Sequence, residues 1–223
     1  MTDKSVAIIP AYNEEVALGS IILRTLQYVD RVVVIDDGSE DKTVEVAKLA
    51  GAEIIVHEKN FGKGKALKSG FAAINDENII ITIDGDGQNN PDEIPLLIRP
   101  IANDECDIVN GSRYLEGYDS DTPKYRRVGQ LVLDKATNVL NNMDITDSQS
   151  GFRAFSKNSI KYFKLEDSGF AIESEMLADA SKAGLKIAEV PITVRYDVDG
   201  STKNPVSHGV KVLFKIIINY FKR

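Results

Sequence analysis

At 223 residues with 43% hydrophobic content, the chain can bury one full core and is most simply a single α/β domain. Its 34 acidic against 27 basic residues leave a formal charge of −7, which speaks against a nucleic-acid-binding surface and means that a phosphate partner must be met by local cations or a metal ion. The single Cys106 allows no intrachain disulfide and no cysteine zinc site, which suits the cytosol; the absence of a signal-peptide pattern and of about 18 consecutive uncharged apolar residues argues against secretion and against a membrane span.

In chain order, SVAIIPAY from Ser5, RVVVIDDGS from Arg31, AEIIVHEKN from Ala52, NIIITIDGDG from Asn78 and CDIVNGSRY from Cys106 are short β-branched runs bounded by Gly, Asn or Asp, the pattern of buried strands. Between them, GSIILRTLQYV, DKTVEVAKLAGA, GKALKSGFAAIN and PDEIPLLIRPIAND repeat apolar residues every three or four positions, which predicts helices. This βαβα order implies a Rossmann-like, mainly parallel sheet with helices on both faces and ligand loops at the carboxyl ends of the strands.

Polar residues gather at those ends: Pro10 to Glu15 after the first strand, Asp36-Asp37-Gly38-Ser39 after the second, Asp84-Gly85-Asp86 after the fourth and Gly111-Ser112-Arg113 after the fifth. Asn13 and Ser39 taken singly are as well explained as helix caps; the coincidence of four strand ends favours a site. The stretch IIITIDGDGQNNPDE tests three chemistries. An EF-hand loop begun at Thr82 places Asp84, Asp86, Gly87 and Glu93 correctly but has Thr at its first position and a strand where an entering helix belongs. A haloacid-dehalogenase-type phosphatase needs its nucleophile on the first strand, which carries Pro10 and Asn13 instead. A metal–diphosphate site fits best: a hard divalent cation takes one or two carboxylates plus substrate phosphates, with the glycines admitting the diphosphate to the backbone.

The ordered set PAYNEE, DDGSEDKT, NFGKGKALKSGF, IDGDGQNNPDEIP, GSRY, DSQSGFRAF and GFAIESEML resembles the family-2 nucleotide-sugar glycosyltransferases of GT-A fold, in particular the dolichyl- or polyprenyl-phosphate sugar synthases, from about Val6 to Tyr196. The resemblance implies a nucleotide-sugar donor, UDP-sugar favoured, and Mg²⁺ or Mn²⁺. It implies that Pro10, Ala11, Tyr12 and Glu14 lie under the nucleoside and that Asp37 accepts from its base or ribose, with Asp36 structural. Gly62, Lys63, Gly64 and Lys65 would close beside the base, an ordinary helix entry being the plainer alternative. Asp84, Gly85 and Asp86 would meet the ribose diphosphate, with Asp84, Asp86 and Gln88 as metal ligands and Asp86 at the catalytic centre. Arg113, Arg195 and Lys203 are candidate phosphate contacts, each equally explicable as a solvated surface residue.

On the acceptor side, Asp147 in DSQSGFR resembles the family's acceptor segment, and Glu173 stands where many relatives keep an Asp base. An acceptor phosphate is already ionised near neutral pH, so a base is dispensable there, whereas a saccharide acceptor would make Glu173 obligatory. The final stretch HGVKVLFKIIINYFKR with Lys211, Lys215, Lys222 and Arg223 suits a basic amphipathic helix lying in an anionic membrane interface, packing on the core or on a second copy being the alternative. His57 and His208 are too isolated for a histidine metal site. The sequence thus predicts a GT-A domain over 1–205 and an appended helix over 206–223. Its expected activity is inverting transfer of a sugar to a dolichyl or polyprenyl phosphate, performed peripherally on the cytosolic membrane face. Transfer to a saccharide and a non-catalytic nucleotide-sugar-binding module are the alternatives; an oligomer is possible.

Overall fold

The computed structural model describes residues 4–115, 124–195 and 205–222. Seven strands form one sheet in the order β3-β2-β1-β4-β6-β5-β7: β1 Ser5–Ala11, β2 Arg31–Asp36, β3 Glu53–Val56, β4 Ile79–Thr82, β5 Ile108–Ser112, β6 Arg153–Ser156 and β7 Ile187–Pro191. All neighbours run parallel except β6, which is antiparallel to both β4 and β5. The helices are α1 Leu18–Thr25, α2 Thr43–Leu49, α3 Lys63–Ala72, α4 Ile94–Ala102, α5 Lys124–Asn141, α6 Lys157–Ile160, α7 Ile172–Lys182 and α8 Pro205–Lys222.

The early strands read as unbroken apolar runs because both sheet faces are covered. Along β1, Ala7, Ile9 and Ala11 enter one core with Leu18, Ile22 and Leu97, while Val6 and Ile8 enter the opposite core with Leu67, Phe71 and Met176. β4 divides likewise, Ile79, Ile81 and Ile83 facing one core and Ile80 the other. Period-two geometry turns a continuous hydrophobic sequence into two half-cores.

Strand order reverses between β1 and β4, so the loops after β1 and β4 diverge and leave a crevice at their carboxyl ends. A third, smaller cluster joins Leu133 of α5, Ala171 and the α8 residues Val212 and Ile216. One face of the last helix therefore packs on the domain, while Val210, Phe214, Ile217 and Ile218 face outward. Among the described residues no helix is long and apolar enough to cross a membrane.

Candidate active site

The loops after β1 and β2 lock each other. Asn13, at φ 57°, donates its backbone N–H to Ser39 Oγ at 2.9 Å and accepts from Glu40 N at 2.9 Å, and Glu14 N–H donates to Thr43 Oγ1 at 2.8 Å. Asn13 and Ser39 are thus cross-loop ties rather than helix caps. They leave Tyr12 exposed and Glu14 half-buried at the mouth of the crevice.

The β4 strand delivers Asp84 and Asp86 to the same mouth. Gly87, at φ 78°, turns the chain so that Gln88 N–H caps Asp86 Oδ1 at 3.0 Å. Burial, then the Asp84 carboxylate, pushes Asp86 up to about 6. Burial, then Asp86, Asp84 and Asp41, pushes Glu14 up to about 7. Three carboxylates therefore share a partly dry space. The nearby ammonium is Lys63, whose Nζ lies 2.6 Å from Asp84 and 2.8 Å from Glu173 Oε1. Burial pulls this ammonium down, but Asp84 and Glu173 outweigh it and hold the group above its ordinary value.

Glu173 sits at the start of α7 and is fully enclosed; burial raises its carboxyl against the opposing pull of Lys63. It is ion-paired with Lys63, yet neither of its oxygens has an aligned hydrogen bond among the described residues. The DSQSG segment closes this side: Thr82 Oγ1 donates to Gly151 O at 2.9 Å, and a Cβ on Gly151 would fall 2.5 Å from Asp84 Oδ2 and 2.7 Å from Lys63 Nζ. Thr82 is thereby spent on the backbone and the carboxylates leave a strand, which disposes of the EF-hand geometry.

Several expected residues are placed differently. A Cβ on Gly85 would press on Leu18 at 3.2 Å and touch Ile9 and Ala11, so the packing of α1 on β1 already favours glycine there. Asp37 is buried with both oxygens engaged, accepting from Phe61 N at 3.0 Å and Gly62 N at 2.7 Å and pairing with His57 Nδ1 at 2.7 Å. Arg113 is committed to Asp147 through Nε and Nη2 at 2.6 and 2.7 Å. Asp147 is fully buried and also accepts from Gln130 Nε2 at 3.3 Å, so it holds Arg113 and touches no open space. Gln88 engages through its backbone, its carbonyl accepting from Arg195 N at 2.9 Å, which brings exposed Arg195 beside the β4 loop. Pro10 and Ala11 end β1 below Tyr12, Gly62 and Gly64 pack on the 167–169 backbone, and Lys65 is exposed. Lys203 lies outside the described residues.

Arg127 was not singled out by sequence, and Arg153 was marked only as the last residue of the acceptor segment. Arg127 of α5 stacks on Tyr114, 3.5 Å from guanidinium carbon to ring centroid, with its Nη1 buried and without a hydrogen-bond partner among the described residues; Arg113 approaches the same ring at 5.2 Å. Arg153 is completely buried and donates to Asn110 Oδ1, Glu173 O and Ser148 O at 2.8, 2.8 and 3.0 Å. Burial pulls its guanidinium down to about 10, against Glu173, Asp147 and Glu189. Only the GSRY and SGFR surroundings pointed toward this region.

No set of three or more His, Cys, Asp or Glu side chains is gathered as a cation cage among the described residues. Asp84 and Asp86 nevertheless fit a hard cation that completes its shell with phosphate oxygens: they are adjacent, oxygen-bearing, short of compensating charge and at the crevice mouth.

Residues 6–163 match the model of Glycosyl transferase family 2. An uncharacterized protein of Methanocaldococcus jannaschii is 36% identical over 97% of this chain and 92% of its own. The UDP-N-acetylglucosamine–dolichyl-phosphate N-acetylglucosaminyltransferase of Methanococcus voltae is 34% identical over 98% of this chain and 97% of its own. Among solved structures, glucosyl-3-phosphoglycerate synthase of Mycobacterium tuberculosis, in complex with Mn²⁺, UDP and glucosyl-3-phosphoglycerate, superposes with a TM-score of 0.77 at 25% identity, covering 97% of this chain and 78% of that one.

Proposed function

The chain belongs to glycosyl transferase family 2 and has the GT-A fold of its structural neighbours, and from that premise we propose that it moves a sugar from a UDP-sugar to a dolichyl or other polyprenyl phosphate, inverting the anomeric carbon. The carrying observation is the under-compensated Glu14–Asp84–Asp86 group at the mouth of the β1/β4 crevice, with Lys63 reaching it from α3. UDP and dolichyl phosphate are favoured because the Methanococcus voltae relative is named for both and the Mycobacterium tuberculosis neighbour holds UDP.

In this reading Tyr12 and the Pro10–Glu14 loop receive the nucleoside, and Lys63 and Arg195 meet phosphate oxygens. Asp84 and Asp86 would hold Mg²⁺ or Mn²⁺, which when bound neutralises charge gathering on the departing diphosphate. An acceptor phosphate oxygen forms the new bond to the anomeric carbon from the side opposite the diphosphate. The carbon–oxygen bond to UDP breaks with its electron pair leaving on the diphosphate, and one such displacement inverts the centre. The acceptor oxygen is ionised already, so no proton needs removing. Buried Glu173, ion-paired with Lys63, orients that lysine instead of serving as a base. Arg127, stacked on Tyr114, is the cation offered to the acceptor phosphate, with Arg113 held beside it by Asp147.

The lipid would be met at the outer faces of α5 and α8, where Val128, Leu131, Val132, Val210, Phe214, Ile217 and Ile218 are exposed beside Lys211, as a peripheral contact on the cytosolic face. Incubation with labelled UDP-sugars and a polyprenyl phosphate, followed by organic extraction, tests the proposal: label enters the lipid phase in a Mg²⁺- or Mn²⁺-dependent manner and survives Glu173→Gln at a reduced rate. Label that appears only on a saccharide acceptor and vanishes in Glu173→Gln would replace this reading with the saccharide one, and binding of UDP-sugar without any transfer would leave a binding module.

A further inference from the structure

Asp37 is buried, and its two oxygens already meet three groups of the fold. Its Oδ1 accepts from Phe61 N at 3.0 Å and faces His57 Nδ1 at 2.7 Å; its Oδ2 accepts from Gly62 N at 2.7 Å. These two amides immediately precede α3, whose N-cap is Gly62 at φ 97° and carries no side-chain cap. A carboxylate placed there satisfies backbone donors that a helix start leaves open and opposes the positive end of the helix dipole. His57 spans further: its Nε2 lies 2.9 Å from Ser69 Oγ, in the second turn of the same helix, and its own backbone N–H donates to Asp36 O at 2.8 Å. The imidazole therefore ties Asp37, just past the end of β2, to Ser69 of α3.

The opposite wall is equally close. Gly64 N donates to Ser168 O at 3.0 Å, and a Cβ on Gly62 or Gly64 would overlap the backbone of Ser168 or Asp167. The first turn of α3 is held between two rigid surfaces, and Lys63 projects from that turn to Asp84 and Glu173. We propose that Asp37 and His57 are positioning residues for Lys63: together they set the depth of the α3 start, and through it the location of the ammonium that faces the donor diphosphate. The diphosphate part rests on the function proposed above; the positioning part does not.

The two parts separate in one set of variants. In ¹⁵N-labelled protein the buried Lys63 ammonium, assigned by its loss in Lys63→Met, should give a slowly exchanging signal. Asp37→Asn turns an amide donor toward backbone N–H groups, and His57→Ala removes the tie to Asp37; both should shift or broaden that signal. His57→Asn, which keeps a donor near the Nδ1 position, should restore it, whereas His57→Gln, which keeps one near Nε2, should not. UDP affinity in the presence of Mg²⁺ should fall at least tenfold in His57→Ala, with no further loss when it is combined with Lys63→Met, while affinity for uridine stays unchanged. An unchanged ammonium signal in folded His57→Ala and Asp37→Asn overturns the proposal, as does an additive loss of His57→Ala with Lys63→Met or a uridine loss in His57→Ala equal to its UDP loss. Should Asp37→Asn fail to fold, the three His57 variants decide alone. If wild-type protein binds no UDP, the donor reading falls and the ammonium signal still decides the positioning of Lys63.

Discussion

Two groups of carboxylates flank the crevice, and they differ in how their charge is met. Glu14, Asp84 and Asp86 stand at the mouth with Lys63 as their near cation, and the first and third are pushed up to about 7 and about 6. Behind them Asp147 and Glu189 are woven into a network with Arg113, Asn110 and Thr146. Glu175 and Asp179 likewise accept backbone N–H groups of Glu166, Asp167 and Lys164. Loose ends remain: Asp134 Oδ2, Asp36 Oδ1 and both oxygens of Glu173 are buried without a hydrogen-bond partner among the described residues, Glu173 being ion-paired with Lys63. Burying charge is tolerable when the partner is built in; where it is not, the remaining charge has to arrive with a ligand. The contrast separates the residues that hold the chain from those that await a substrate.

The contrast is broken hardest at Arg153. Arg153→Leu strands Asn110 Oδ1, Glu173 O and Ser148 O inside the protein, and loss of a buried, fully bonded cation costs roughly 3–5 kcal/mol. Urea unfolding should show that loss; a midpoint within error of wild type would mean the network is ornamental to folding.

Asp86→Asn acts on the other group and in the opposite sense. Transfer should fall by about 10²–10³-fold, the scale of removing one preorganised electrostatic contact at a reacting centre, while stability holds or rises because a like-charge neighbour is gone. Near-normal transfer with Mg²⁺ or Mn²⁺ present would remove Asp86 from the site.

Much of the first group was legible in sequence and little of the second. Strands β1, β2 and β4 advertise themselves as apolar runs because each is buried on both faces, and the carboxylates follow where those runs stop. Strand β6 is four residues long and begins with Arg153, a charge completely enclosed, so neither alternation nor hydrophobicity marks it. Helix α7, IESEMLADASK, is buried on every side over Ile172–Ala180, and a helix with no wet face has no polar stripe to read. Its Glu175 and Asp179 accept backbone N–H groups of the preceding loop, and its Glu173 meets the Lys63 ammonium from α3, pairings that only the fold brings about. The ties of Asp37 within the fold were hidden for the same reason: its donors come from residues 57, 61 and 62.

A pH series sharpens the contrast further. Glu14 and Asp86 lie above their ordinary values when folded, so the folded chain binds more protons than the unfolded chain between about pH 4.5 and 7. Stability without metal should therefore fall as pH rises through that window, and Glu14→Gln should flatten the fall. A stability that rises across the same window would show that these carboxylates are paired after all.

The smallest effect is expected at the outer helix. Phe214→Ser with Ile218→Ser alters exposed side chains and should weaken binding to anionic liposomes while leaving UDP affinity and the unfolding midpoint within error. Truncation at 206 is a coarser instrument, because it also removes Val212 and Ile216 from their cluster with Leu133 and Ala171. Liposome binding unchanged in the double variant would return α8 to a purely packing role.

The central claim, that the mouth carboxylates await a metal and a nucleoside diphosphate while the inner ones do not, is met most directly by calorimetric titration of UDP into wild-type protein with and without Mg²⁺ or Mn²⁺. The account predicts saturable binding with the cation and at least tenfold weaker binding after its removal by chelator. Equal affinity in both conditions, or no binding of UDP in either, would contradict it.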